Sequence, residues 1–207
     1  MAIFVIILCG LICAISIISG LDDIASKYQT SELVPDAFPS PPENPIEVTY
    51  TSGAEVNFGN ELTPTAVKDV PDVNWNANSE DFHTLIFVDL DAPSRKDPTF
   101  REVIHWMVVN IPGANVDEGE TIIEFIGSGP SKGTDLHRYA FFVFKQPSGK
   151  LDFSAEDKVD KRNIKKRISF STIKFAEKYS LELLGGNFYQ AQYDDYVPIL
   201  HAQFHSE

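Results

Sequence analysis

The chain has 207 residues, 43% of them hydrophobic and 23% charged, which excludes a disordered chain, a collagen and a coiled coil and suits one domain with a sizeable core. Seventeen Lys+Arg against 30 Asp+Glu give a formal net charge of −13, a field that repels nucleic acid and anionic membrane surfaces. A small anionic ligand stays compatible with that charge, because a pocket can be locally positive.

Residues 1–20 form a segment of their own. Ala2 to Gly20 carries no charge and is nearly all Ile, Leu, Val, Ala and Phe, and Leu21-Asp22-Asp23 follows. This reads as a secretory signal cleaved near Gly20, with the protein secreted and extracellular. An uncleaved anchor is the alternative, since the run approaches the length of a membrane span; the lack of a basic stop-transfer flank favours the signal. Cys9 and Cys13 both lie in this segment, so a mature monomer without disulfides is expected. No Asn-x-Ser/Thr sequon occurs.

Residues 21–45 contain Pro35, Pro39, Pro41, Pro42 and Pro45 and read as an extended lead-in with a short helix near Ile24 to Tyr28. The domain itself is placed at residues 46–207. Ile46 to Thr51 reads as a first strand, and Pro64, Pro71 and scattered Asn mark loops as far as Asn78. Leu85 to Asp91, Val103 to Ile111 and His137 to Lys145 are the strongest strands, short, β-branched or aromatic, and bounded by Pro, Gly or Asp. Ser171 to Tyr179 and Pro198 to Phe204 have helical spacing. No repeat of 20–50 residues appears, which excludes a solenoid or propeller. The expectation is a mainly β fold with a few peripheral helices.

Three strands carry the chemistry. Alternation places Asp89 and Asp91 on the same side of the first, where two carboxylates repel unless one is protonated or paired. His105 stands in a strand apolar on both faces, with Met107, Val109 and Ile111 on its own side and Ile104, Trp106 and Val108 opposite. His137 and Tyr139 share a face of the third strand. A lone buried His is more often a satisfied core residue than a ligand, but convergence of these groups at one pocket is the usual form of a binding site. The Gly127-Ser128-Gly129-Pro130-Ser131-Lys132-Gly133-Thr134-Asp135 turn has neither Walker A nor dinucleotide spacing, and by itself is a weak anion signal. Lys158, Lys161, Arg162, Lys165, Lys166 and Arg167 read as a solvated loop, with a docking patch as the alternative. Asp81-Phe82-His83 reads as an exposed strand approach.

Asp89-Leu90-Asp91-Ala92-Pro93-Ser94-Arg95, Arg101-Glu102 with His105, and Gly127-Ser128-Gly129-Pro130 through His137-Arg138-Tyr139 together resemble the phosphatidylethanolamine-binding protein family, which includes the Raf kinase inhibitor proteins. The resemblance runs from about Ile46 to Phe204 and takes in Leu62-Thr63-Pro64-Thr65 and Tyr193-Asp194-Asp195-Tyr196-Val197-Pro198. With a signal segment in front, the chain is similar to the secreted invertebrate members. The resemblance implies a β-sandwich with a few peripheral helices. It also implies a small anion pocket lined by Asp89, Asp91, Pro93, His105, Gly127, Pro130, His137 and Tyr139, with His201 and Phe204 at its mouth. Its ligand would be a phosphate or a phospholipid headgroup of the phosphatidylethanolamine type. Cis bonds at Ala92-Pro93 and Arg101-Glu102 are further implications.

Four positions depart from the family pattern. Leu90 replaces the Pro of Asp-Pro-Asp, Ser131 replaces the second Pro of Gly-Pro-Pro, Asp135 stands where Gly is common, and His201 stands where a Tyr is often found. The reading is therefore a secreted binding protein for phosphate, phospholipid headgroups or similar small ligands. An inhibitor or regulator of a protease or signalling protein is the alternative, and a hydrolase using the Asp and His pairs is a more distant one. No catalytic role, cofactor or metal is expected, since no His-Glu-x-x-His or Gly-x-Ser-x-Gly motif occurs.

Overall fold

The computed structural model describes residues 24–204. The segment read as a secretory signal, with Cys9 and Cys13, lies outside the described residues. In chain order the elements are a helix over 24–30 (α1), Leu33–Asp36 (α2), Asn44–Pro45 (β1), Glu47–Thr49 (β2), Asp72–Asn74 (β3), Phe82–Asp89 (β4), Val103–Pro112 (β5), Glu120–Ile123 (β6), His137–Gln146 (β7), Thr172–Lys178 (α3), Glu182–Ala191 (β8) and Val197–His201 (α4). A six-stranded sheet runs β1-β8-β7-β4-β5-β6, antiparallel except for the parallel β1–β8 pair, and β2 and β3 form a separate two-stranded sheet. The architecture is mainly β with few helices.

Strand alternation divides the core into two apolar clusters, one on each face of the large sheet. Ile86, Val88, Ala140, Phe142, Phe144 and Phe188 face α1, α2 and α3, meeting Tyr28, Leu33, Phe38 and Phe175. Leu85, Phe87, Tyr139, Phe141, Val143 and Tyr189 face the other way, under Val48 and Val73 of the small sheet. The Pro-rich segment is thus not simply extended: Tyr28 and Leu33 are each 1% exposed and form part of the first cluster. α1 matches the expected early helix and continues to residue 30.

β5 departs from simple alternation. Phe87 pairs with Trp106 and Val88 with Ile104, so His105 is an extra residue in the ladder. The bulge puts His105 and Trp106 on the same side, against the expectation from the sequence: both pack on the cluster around Phe87. A second register shift lies between His83 and Leu85, opposite Asn110, whose φ is 54°. Ile111 consequently joins the cluster of Trp106 and Val108, while Met107 and Val109 face the helices.

Candidate functional site

The C-terminal end of β4 and the N-terminal ends of β5 and β7 lie side by side, so Asp89, His105, His137 and Tyr139 converge on the small-sheet side of the main sheet. The 126–131 loop and α4 close over them. The resulting cavity, about 460 Å³, is lined by Asp89, Pro93, His105, Gly127, Pro130, His137 and Tyr139 of the expected set, with His201 and Phe204.

Asp91 does not line it. β4 ends at Asp89, whose Oδ1 accepts the Asp91 backbone N–H at 2.7 Å, so the chain turns there and alternation no longer applies. The Asp91 carboxylate instead receives a two-pronged bond from Arg138, Nε to Oδ2 at 2.9 Å and Nη2 to Oδ1 at 2.7 Å. Arg101 adds a contact of 3.2 Å. Burial alone would raise the Asp91 pKa, but the Arg138 bonds outweigh it and hold it below the ordinary range. The expected pairing of Asp89 with Asp91 is replaced by two separate ion pairs, one on each side of the turn.

Proton accounting fixes the state of His137. Its Nδ1 meets Asp89 Oδ2 at 2.9 Å, and its Nε2 meets Thr134 Oγ1 at 2.9 Å. The Thr134 hydroxyl gives its one proton to the Ser131 carbonyl at 2.8 Å, which can only accept. Thr134 therefore accepts from Nε2–H, and both ring nitrogens carry protons. Burial disfavours the charged ring, yet the bond to Asp89 and its charge prevail, and the His137 pKa is raised.

His105 is in the opposite state. Its Nδ1 lies 3.1 Å from the Ile126 carbonyl, so Nδ1 is the donor and Nε2 is left as an acceptor in the neutral ring. Complete burial lowers its pKa to about 4 against the opposing pull of Asp89. Tyr139 lies between the two rings, 5.3 Å from His105 and 6.3 Å from His137 by centroid. Its buried hydroxyl lies near Asp89 but has no well-formed hydrogen bond to a protein atom, and burial raises its pKa well above the usual value.

The glycines of the covering loop serve close packing. A Cβ on Gly127 would lie 2.9 Å from the Val67 carbonyl oxygen and 3.0 Å from Lys68 Cα. One on Gly129 would lie 2.8 Å from Leu200 Cδ2 on α4. His201 Nε2 donates to the Gly129 carbonyl at 2.9 Å, tying α4 to the loop. Among the departures, Leu90 is a core residue and Ser131 lines the cavity. Asp135 is exposed, outside the lining, with φ of 60°. That backbone region is easiest for Gly and tolerated by Asp.

Three lining residues have no signal in local sequence: Phe100, Ile164 and Ile168 come from loops, while Lys165 belongs to the basic run and Leu200 to α4. The basic run also divides. Arg167 is fully buried and donates to the carbonyls of Ile104, His105, Glu124 and Asp160, pinning the 160–168 loop beside His105. Lys158, Arg162 and Lys166 pair with Glu120, Asp160 and Asp157. His83 is only 1% exposed and packs on Trp75, because β4 begins at Phe82 and its second residue points inward. It is not an exposed approach.

The family model for phosphatidylethanolamine-binding protein matches residues 40–189. The chain belongs to the phosphatidylethanolamine-binding protein family. A Drosophila melanogaster protein named odorant-binding protein A5 is 33% identical over 192 residues, 92% of this chain and 90% of that one. A carboxypeptidase Y inhibitor, solved in complex with its cognate proteinase, superposes with a TM-score of 0.73 at 25% identity, covering 84% of this chain and 97% of the inhibitor. A phosphatidylethanolamine-binding protein from Plasmodium vivax shares the fold, with a TM-score of 0.68 at 23% identity over 82% and 97% of the two chains. Membership fits a binding or regulatory protein. The cis bonds implied by family resemblance, Ala92-Pro93 and Arg101-Glu102, are present. No helix among the described residues is long and apolar enough to cross a membrane.

Proposed function

We propose that this protein is a secreted binding protein whose cavity takes the phosphoryl or similar oxyanion head of a small ligand, such as a phosphatidylethanolamine-type headgroup. The observation that carries the reading is one cavity floor holding a charged His137, a neutral His105 and the unsatisfied Tyr139 hydroxyl. Tyr139 supplies a donor to an anionic oxygen, and His105 Nε2 accepts from a hydroxyl or protonated oxygen of the head. His137 neutralises Asp89, which would otherwise repel an anion. With both nitrogens donating, His137 serves this reading as a fixed counter-charge to Asp89 rather than as a general base.

Calorimetric titration of phosphorylethanolamine tests this. His137→Ala leaves the Asp89 carboxylate without its counter-charge, so that it repels the anion, and should weaken binding about ten- to a hundredfold. Tyr139→Phe keeps the packing, removes one donor and should weaken it about tenfold. Lys150→Ala, on an exposed turn, should bind as the unaltered protein does. Unchanged affinity in both pocket variants, each verified as folded by circular dichroism, would sink the proposed site.

A second reading, inhibition of a protease, is favoured by the similarity to the carboxypeptidase Y inhibitor across 84% of this chain. A peptidase assay with carboxypeptidase Y and the purified protein tests it.

A further inference from the structure

Above the polar floor the cavity changes character. Its apolar lining includes Phe100, Ile164, Ile168, Leu200 and Phe204. Phe100 is 43% exposed and Ile168 39% exposed. Among the described residues five large apolar side chains are exposed, and these two stand on the rim of this one cavity, so they are not simply scattered surface residues. At about 460 Å³ the cavity falls in the range that encloses a drug-sized molecule. That is far more room than a bare phosphate needs and far less than two long acyl chains require. The net charge of −13 also disfavours seating the rim on an anionic bilayer.

We infer that the ligand is a soluble single-chain amphiphile, with its head at the Asp89–His137 floor and its apolar chain leaving between Phe100 and Ile168. The inference rests on the headgroup reading above and adds the apolar chain. Each methylene buried against these walls adds to affinity in a way that the head alone cannot.

Methyl phosphate and octyl phosphate, the latter kept below the concentration at which it aggregates, share a head and differ in the chain. Octyl phosphate is expected to bind at least about tenfold more tightly in calorimetric titration. Ile168→Asn and Phe100→Ser replace exposed side chains, so the fold should tolerate both. They should erase most of that advantage, whereas Lys150→Ala, outside the cavity, should leave both affinities as they are. His137→Ala should weaken both probes. Equal affinities for the two probes would overturn the inference while leaving the headgroup reading in place. An octyl advantage that survives both rim substitutions would overturn it too, by placing the chain elsewhere. Equal probe affinities together with sedimentation on phosphatidylethanolamine vesicles would assign the rim to a bilayer instead. Failure of both probes to bind would remove the headgroup reading, and this inference with it.

Discussion

His105 and His137 face one cavity and are held in opposite protonation states, the first by burial, which outweighs the Asp89 charge and its carbonyl partner, and the second by its bond to the Asp89 carboxylate. The difference has a consequence for acid stability. His105 titrates near pH 4 in the folded chain and near 6.5 when free, so between those values the unfolded chain binds more protons. Its contribution to stability is present above pH 6.5 and is lost as pH falls toward 4, a change of about 3 kcal/mol. His137 has the other sign: its pKa is raised, so its contribution is complete below pH 6.5 and fades as pH climbs through the raised value. Urea unfolding at pH 7 and pH 4.5 should show a smaller acid loss for His105→Gln than for the unaltered protein. Equal losses would contradict the neutral assignment of His105. That both histidines and Tyr139 meet at one cavity was legible because polar groups in apolar strands stand out. Their protonation states were not legible, since those depend on Ile126, Ser131 and Thr134, whose positions no strand pattern fixes.

At the scale of elements, the turn after β4 carries a cavity residue on one side and a clamp on the other. Arg138 follows His137 in β7 and so points to the opposite face, where it is fully buried. It binds Asp91, the Asp36 carboxylate at 2.8 Å and the Ser31 carbonyl at 2.9 Å, fastening the α1–α2 segment to the back of the site. Asp91→Ala would leave a buried guanidinium with its main counter-ion gone, at a cost of about 3–5 kcal/mol. Asp36, with its side chain 32% exposed, is partly solvated, and Asp36→Ala should cost no more than about 1 kcal/mol. Urea midpoints of the two variants decide the matter; comparable losses would remove the argument for an Asp91-centred clamp. The major strands β4, β5 and β7 were legible within a few residues, from runs such as Leu85-Ile86-Phe87-Val88 and Phe141-Phe142-Val143-Phe144. β8 was missed, because Gly185-Gly186 in its middle looks like turn punctuation. Those glycines make room for neighbours: a Cβ on Gly185 would lie 2.9 Å from the Asn44 carbonyl oxygen, and one on Gly186 2.9 Å from Pro42 Cγ. Only the partner strand reveals that need.

Across the whole molecule, stability rests on the two apolar clusters that sandwich the main sheet, with ion pairs such as Arg138–Asp91 setting where loops attach. The chain's two cysteines, Cys9 and Cys13, precede the described fold, so nothing from residue 14 onward can form a disulfide within one copy. A domain of this size can bury enough apolar surface to fold without such staples. Secretion through the N-terminal segment would then deliver a cysteine-free protein to an oxidising compartment, where stability cannot depend on redox state. Expressed in a eukaryotic cell, the protein recovered from the medium should begin near Leu21 on N-terminal sequencing. Its thermal unfolding midpoint should be the same with and without dithiothreitol. An intact Met1 on cell-retained protein would defeat the export reading. A clear fall in midpoint on reduction would show that a thiol bond contributes, which the positions of Cys9 and Cys13 do not permit once the first twenty residues are removed.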